Sequence, residues 1–323
     1  MRDDPRDAAV ALVAAILVAC TPAADGTGDG AAAPTPLTVA FIGDQGLTSE
    51  ARAVLELIEA EGADLVLHLG DLDYADDPAA WDAMITDALG ADFPLFVAIG
   101  NHDEQRWYGP SGYQERQEAR LARVPEATCR GELGVRAACT FRGLFFILSG
   151  IGTMPKVPDD PEHVDYLRDQ LARADAIWRV CAWHRNQRLM QVGGKDDDVG
   201  WQPYEACREG GAIVATAHEH SYSRTHLLAD FAAQRIASTS NTLTIDEGQT
   251  FAFVSGLGGH SIRDQELGGP WWASIYTKDQ GANFGALFCA FFAGGEPERA
   301  RCHFKDIEGN VPDRFELISA VQP

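Results

Sequence analysis

The sequence predicts an α/β fold in which short buried strands alternate with amphipathic helices. Two features predict it. Eight apolar runs recur along the chain, rich in β-branched and aromatic residues and mostly closed by glycine. Several of the segments between them carry apolar residues at helical spacing, the texture of strands enclosed by helices. The composition agrees: 323 residues with 46% apolar content can bury a substantial core.

The eight runs are LTVAFIG, DLVLHLG, PLFVAIG, GLFFILSG, WRVCAW, AIVATA, FAFVSG and ALFCAFF. After the first, SEARAVLELIEAEG sets Ala53, Leu55, Leu57 and Ile58 among charges, and after the second, DDPAAWDAMITDALG follows a similar pattern. Residues 103 to 140 read as a long charged excursion of the kind that shapes a site entrance. The chain has no internal repeat and no coiled-coil pattern.

The first segment, MRDDPRDAAVALVAAILVAC, holds about a dozen apolar residues, too few to span a bilayer and suited to the h-region of a signal peptide. Residues 1–19 are therefore expected to be a signal peptide, 20–36 a Gly- and Pro-rich flexible tether, and 37–323 a single domain. The end of the segment, LVAC, resembles the bacterial lipoprotein box, which implies cleavage before Cys20 and lipidation of its thiol. Asp3, Asp4 and Asp7 outweigh Arg2 and Arg6, so an ordinary signal peptide or an apolar N-terminal helix stays open. The expected location is extracytoplasmic, lipid-anchored or secreted.

Beyond Cys20, six cysteines remain. Six cysteines leave fifteen connectivities open; proximity favours Cys129 with Cys139 and Cys289 with Cys302, leaving Cys181 for Cys207, and reduced core cysteines are the alternative. The formal charge of -22 opposes any long-range attraction to nucleic-acid polymers or anionic lipid. A small substrate, or a cation held at carboxylates, fits better. The only membrane contact expected is the lipid anchor, and no protein partner can be inferred.

The chemistry gathers where the strands end. FIGDQG places Asp44 behind one strand, LHLGDLDY places Asp71 and Tyr74 behind the next, and VAIGNHD places Asn101, His102 and Asp103 behind a third. Later, CAWHRN brings His184, and ATAHEHSYSR brings His218 and His220, two apart and, in extended chain, on one side. Five strand ends thus deliver oxygen and nitrogen donors and no cysteine. In α/β sheets such loops form the binding crevice, and a donor set of this hardness suits iron, manganese or zinc rather than a zinc finger or an iron–sulfur cluster. With Asp71 as a bridging carboxylate, the set divides into two clusters.

Other polar and aromatic features admit two readings. Arg185, Asn186, Gln187 and Arg188 could bind phosphate oxygens or form a solvated loop. MQVGGKDDDVGW, with Lys195, reads as a lid or as a surface loop; it lacks P-loop spacing. His260 could line the cleft, whereas His68, His163, His226 and His303 read as ordinary core or surface residues. Trp201, Trp271, Trp272 and Tyr276 could make a stacking platform or simply pack. Asp73, Asp76 and Asp77 read as a solvated acidic turn.

In order, the five pieces resemble the calcineurin-like metallophosphoesterases over roughly residues 38 to 260. Gly46 stands where most of that superfamily has a ligating histidine, and Tyr74 follows Asp71, an exchange similar to the purple acid phosphatases. Departures are Ala217 in place of the usual glycine, Glu219 between the two histidines, and WHRNQR after the fourth motif. The resemblance implies a four-layer sandwich of two mixed β-sheets flanked by α-helices. It also implies two metal ions: Fe(3+) at Asp44, Asp71, Tyr74 and His220, and a divalent Fe, Zn or Mn at Asp71, Asn101, His184 and His218. A phenol near pKa 10 becomes a phenolate only beside a strongly polarising cation, which suits a trivalent ion.

The implied reaction is hydrolysis of a small phosphate monoester by a metal-bound hydroxide, with His102 as general acid or phosphate anchor and Asp103 orienting it. Two alternatives stand beside it: a phosphodiesterase or nucleotide hydrolase of the same superfamily, and a non-catalytic surface binding protein that uses the fold.

Overall fold

The computed structural model describes residues 34–322. The expected signal peptide, the lipidation of Cys20 and nearly all of the tether lie outside the described residues. In chain order the elements are β1 Leu37–Ile42, α1 Ser49–Ala60, β2 Leu65–His68, α2 Pro78–Leu89, β3 Leu95–Val97, α3 Glu104–Trp107 and α4 Tyr113–Leu121. There follow β4 Thr128–Glu132, β5 Arg136–Phe141, β6 Leu144–Ser149, α5 Pro161–Leu171, β7 Trp178–Ala182, α6 Gln202–Glu209, β8 Ile213–Thr216, β9 Tyr222–Thr225, β10 Leu227–Asp230 and β11 Arg235–Ser238. The chain closes with β12 Thr242–Ile245, β13 Ala252–Ser255, β14 Trp272–Tyr276, β15 Gly285–Phe291, β16 Arg299–Asp306 and β17 Asp313–Ser319.

All eight apolar runs are strands: β1, β2, β3, β6, β7, β8, β13 and β15. They belong to two mixed sheets, ordered β12-β17-β16-β15-β1-β2-β3 and β14-β9-β13-β8-β7-β6-β5-β4. β10 and β11 make a separate two-stranded ribbon. Strand β1 shows how the layers arise. Val39 and Phe41 point into the core between the sheets, while Ala40 and Ile42 point outward to a second core shared with Val54, Leu55 and Ile58 of α1. Successive side chains take opposite faces, so a strand apolar throughout must be covered on both. On the far sheet, Cys181 of β7 packs outward with Leu167 of α5 and Cys207 of α6. Helix, sheet, sheet and helix make the four expected layers.

Local chemistry sets the helix starts. Thr48 accepts a hydrogen bond from Ala51 N at 3.0 Å and caps α1. Asp77 does the same for α2 through Ala80 N at 3.0 Å, with Pro78 in the first turn. Each satisfies an amide that the helix itself leaves unpaired.

Residues 103–140 are not an excursion. They supply α3, α4, the edge strand β4 and nearly all of its neighbour β5, and they bury Trp107, Tyr113, Gln117 and Arg120. Arg120 explains how a charged segment can pack: its guanidinium donates to Asp82 at 2.7 Å, Thr86 at 2.7 Å and Gly90 O at 2.8 Å, tying α4 to α2. The two sheets are also joined by a buried ion pair. Arg224 of β9 donates through Nε and Nη2 to Asp313 of β17, at 2.7 and 2.9 Å, and Tyr222 donates to the same carboxylate at 2.7 Å.

The three disulfides are Cys129–Cys139, Cys181–Cys207 and Cys289–Cys302. The first and third join directly opposed residues on neighbouring strands, and the second ties β7 to α6. Such bonds persist in oxidising compartments, consistent with an extracytoplasmic protein. No helix among the described residues is long and apolar enough to cross a membrane.

Candidate metal centre

The carboxyl ends of β1, β2 and β3 in one sheet and of β7 and β8 in the other meet at one edge of the sandwich. They meet because the loops there can approach closely. A Cβ on Gly43 would overlap the Cβ of Ala217, so the missing side chain on the β1 loop is what accommodates Ala217 after β8. In the same way, a Cβ on Gly100 would overlap the backbone and carboxylate of Asp71. The β1 and β2 loops remain paired beyond their strands, through Asp44 N to Gly70 O at 3.0 Å and Gln45 N to Asp71 O at 3.0 Å.

Four of the seven expected ligands occupy left-handed backbone: Asp44 (φ 56°), Asp71 (55°), Tyr74 (58°) and His218 (67°). Tyrosine and histidine rarely adopt it, and such strain gathers at functional sites. At His218 it also overturns the expectation of extended chain through His218 and His220. The turn sends the two imidazoles to different clusters.

In the first cluster the Tyr74 hydroxyl stands 2.9 Å from Asp44 Oδ1 and 3.1 Å from His220 Nε2, and that nitrogen is 3.4 Å from Asp44 Oδ1. In the second, His184 Nε2 stands 3.2 Å from Asp71 Oδ2 and 3.0 Å from His218 Nδ1. One donor atom from each of Asp71, His184 and His218 lies within 4.8 Å of the other two, and all three residues are buried. Asn101 Oδ1 is buried and without a partner, as is Asp44 Oδ2.

Proton accounting tests whether this set fits a metal. His184 Nδ1 hydrogen-bonds the Leu69 carbonyl at 2.8 Å, and His220 Nδ1 hydrogen-bonds Ser261, so the other nitrogen of each ring faces the centre. Burial, with the charges of His184 and Lys195, pushes His218 well below the ordinary imidazole range. Burial, with the charges of Arg263 and Lys195, pushes His220 down to about 2. Both are neutral lone-pair donors.

The carboxylates agree. Burial would raise Asp71, but the adjacent His184 outweighs it and holds Asp71 below the carboxylate range; His184 is raised in return, against its own burial. Asp44 is raised to about 7 by burial. Burial and the charges of Asp44 and Asp71 push the Tyr74 phenol far above its usual value, so without a cation that oxygen keeps its proton. Buried oxygen donors and imidazole lone pairs, with the Asp44 and Asn101 oxygens left without partners, make a donor set that fits metal ions.

Other residues differ from expectation. Asp103 makes no hydrogen bond to the His102 ring; its buried carboxylate accepts from Gly100 N at 2.7 Å, Leu72 N at 2.8 Å and Asp71 N at 3.0 Å. It holds the Asp71 loop, because three unpaired amides converge on it. Arg185 and Asn186 form neither a solvated loop nor free phosphate donors. Both are buried: Arg185 pairs with Asp198, and Asn186 donates to Ala217 O at 2.6 Å and accepts from Tyr204 at 3.3 Å. Asp73 is buried too, accepting from Ala75 N at 2.8 Å and Asp77 N at 3.0 Å.

His102 is exposed at the mouth, where its backbone N donates to Asp71 Oδ1 at 2.9 Å and its ring packs 4.6 Å from that of Tyr74. It lines an open cleft of about 520 Å³ with Asp76, Asn101, Glu104 and Gln105. His260 does line the site. Trp272 and Tyr276 are buried and make no platform there. Lys195, whose loop reads in sequence as a lid or a surface loop, reaches His218 Nδ1 at 3.3 Å.

The structure is a double-sheet sandwich with two clusters of oxygen and imidazole donors at its strand ends. The sequence profile of the calcineurin-like phosphoesterase family matches residues 37–222, more than half of the chain, and the protein belongs to that family. Metal binding and phosphoester hydrolysis are the chemistry of the family, and its centre holds two ions.

No curated protein matches the chain in sequence. Among solved structures, a purple acid phosphatase from yellow lupin (Lupinus luteus) seeds is similar, with a TM-score of 0.63 and 17% identity. The likeness covers 90% of this chain and 54% of that one, so the chain spans about half the length of the lupin enzyme. The anchor in the inner membrane complex of Plasmodium is similar at TM-score 0.56 and 13% identity, covering 89% of this chain and 90% of that one. A dimetal phosphatase from Danio rerio is similar at TM-score 0.51 and 10% identity, covering 88% and 100%. At these identities the likeness is one of fold.

Proposed function

We propose that this protein is a binuclear phosphoesterase of purple acid phosphatase type, acting on small phosphate monoesters. The observation that carries the reading is the pairing of Tyr74 with Asp44 and His220 beside the separate group of Asp71, His184 and His218. Asp44, Asp71, Tyr74 and His220 would hold Fe(3+); Asp71, Asn101, His184 and His218 would hold divalent iron, zinc or manganese. When bound, the ions supply Lewis acidity at the phosphoryl group and acidify water.

The chain's own groups do the rest. His102, exposed beside the cleft, gives a proton to the departing alkoxide or anchors the phosphate. Asp103 keeps Asp71 in place through the three amides it binds. The buried His184 and His220 keep their other ring nitrogens aimed at the centre by hydrogen bonds to Leu69 O and Ser261. For the N-terminal segment the reading adds removal of residues 1–19 and lipidation at Cys20, which intact-mass analysis of protein from a cell envelope would test.

Metal analysis and the visible spectrum of the purified protein test the centre, with rates on matched mono- and diesters. Two ions, a ferric chromophore and monoester turnover are expected. A colourless, zinc-only protein would remove the ferric part, and faster diester turnover would favour the phosphodiesterase alternative. A second reading, a non-catalytic assembly protein, is favoured by the likeness to the Plasmodium anchor. It requires substoichiometric metal and no hydrolysis.

A further inference from the structure

The loop from Gln191 to Gly200 lies against the histidine side of the centre and is held from several directions. Val192 O accepts from Glu266 N and Leu267 N, both at 2.8 Å. Lys195 O accepts from Gln191 Nε2 at 3.0 Å and Arg188 Nη1 at 3.3 Å. Asp198 is fastened by Lys156 at 3.0 Å and by the buried Arg185.

From this fixed backbone the half-buried Lys195 side chain places its ammonium 3.3 Å from His218 Nδ1. Among the described residues no carboxylate stands within 4.0 Å of it. Glu219 is itself buried, with both carboxylate oxygens lacking a hydrogen bond, and lies under Gly193 at 3.6 Å from Arg263.

We propose that Lys195 is a substrate-contacting residue whose ammonium occupies the His218 side of the centre until an ion takes that donor, and then binds a phosphoryl oxygen. The proposal rests on the metal-centre reading above. An ammonium and a divalent ion cannot share one imidazole lone pair, and their like charges repel. The loop backbone is anchored, so the displaced ammonium can move only on its four-carbon stem. Beside two cations, the group that can keep it there is an anion, and a lysine serves phosphate as a point charge.

The proposal sets opposite signs for two affinities. In metal-loaded protein, Lys195→Met should weaken binding of inorganic phosphate about 10- to 100-fold by isothermal titration calorimetry, the usual loss for a hydrogen bond to a charged group. Lys195→Arg should stay within a few-fold of wild type. In chelated protein titrated with Zn(2+), Lys195→Met should bind the divalent ion more tightly than wild type.

Unchanged phosphate affinity in a fully metallated Lys195→Met would overturn the proposal. So would phosphate loss that merely follows lost metal, since Lys195 would then support the centre. Thermal unfolding checks each variant, and Lys195→Gln carries the test should Lys195→Met fail to fold. A wild-type protein that takes up no metal would instead defeat the metal-centre reading, which these arms keep distinct.

Discussion

The imidazole of His260 lies flat on the ring of Tyr74, with centroids 3.6 Å apart and planes 9° from parallel. Gly46, at φ 76°, takes a turn that residues with a side chain rarely adopt, and it lies against His260, where a Cβ would rest in ordinary contact 3.5 Å from Nδ1. The phenol is therefore held by its face while its oxygen meets Asp44 and His220. Tyr74→Phe should keep the stack and the fold, bleach any visible charge-transfer band and retain at least one ion. Absorption and metal analysis of the variant check this; wild-type colour would take Tyr74 out of the donor set.

His102 and Asp103 are neighbours with different expected effects. His102→Ala removes an exposed ring, so kcat should fall about 10²- to 10⁴-fold with both metals retained. Asp103→Asn disturbs the acceptor of three backbone amides, so metal affinity should fall about 10- to 100-fold first, and activity with it. Steady-state kinetics beside metal stoichiometry separate the two.

His68, fully buried against Gln45 at 3.1 Å, carries a pH signature of stability. Burial, helped by the charge of His184, lowers it to about 3 from an unfolded value of 6.5. Below pH 6.5 the unfolded chain takes a proton that the folded chain refuses, so stability is full above 6.5 and declines as pH falls toward 3. The contribution is on the order of 1 kcal/mol per pH unit in that window. Denaturant unfolding at several pH values should give a shallower acid slope for His68→Asn, whose amide oxygen can still accept from Gly70 N.

Asp313→Asn tests the bond between the sheets. It leaves Arg224 buried beside a neutral amide, and breaking such a pair costs about 3–5 kcal/mol. Chemical denaturation measures it. Replacing both residues by apolar ones of similar volume should recover most of the loss, because no charge is then left unpaired.

Strands legible in the sequence are those buried on both faces. LTVAFIG and its seven counterparts announce themselves because neither face meets water. β16 and β17 were missed although RARCHFKD and DRFELIS alternate buried and partly exposed residues, because charges interrupt every apolar stretch. Residues 103–140 were misread for the same reason: Arg120 and Gln117 look like surface until their partners at Asp82, Gly90 and Val97 are in place.

By itself the sequence determined the α/β layering and the order of donors behind five strands, since each depends on local periodicity or residue type. Only the tertiary structure decided the geometry by which those donors separate. His218 and His220 part because one left-handed residue turns the chain between them. Asp103 serves the Asp71 loop because amides of both the β2 and β3 loops converge on it, and Arg185 and Asn186 are engaged because Asp198 and Ala217 reach them first. Lys195 belongs to the centre because its loop folds back across 23 residues to His218, a distance that no local pattern encodes.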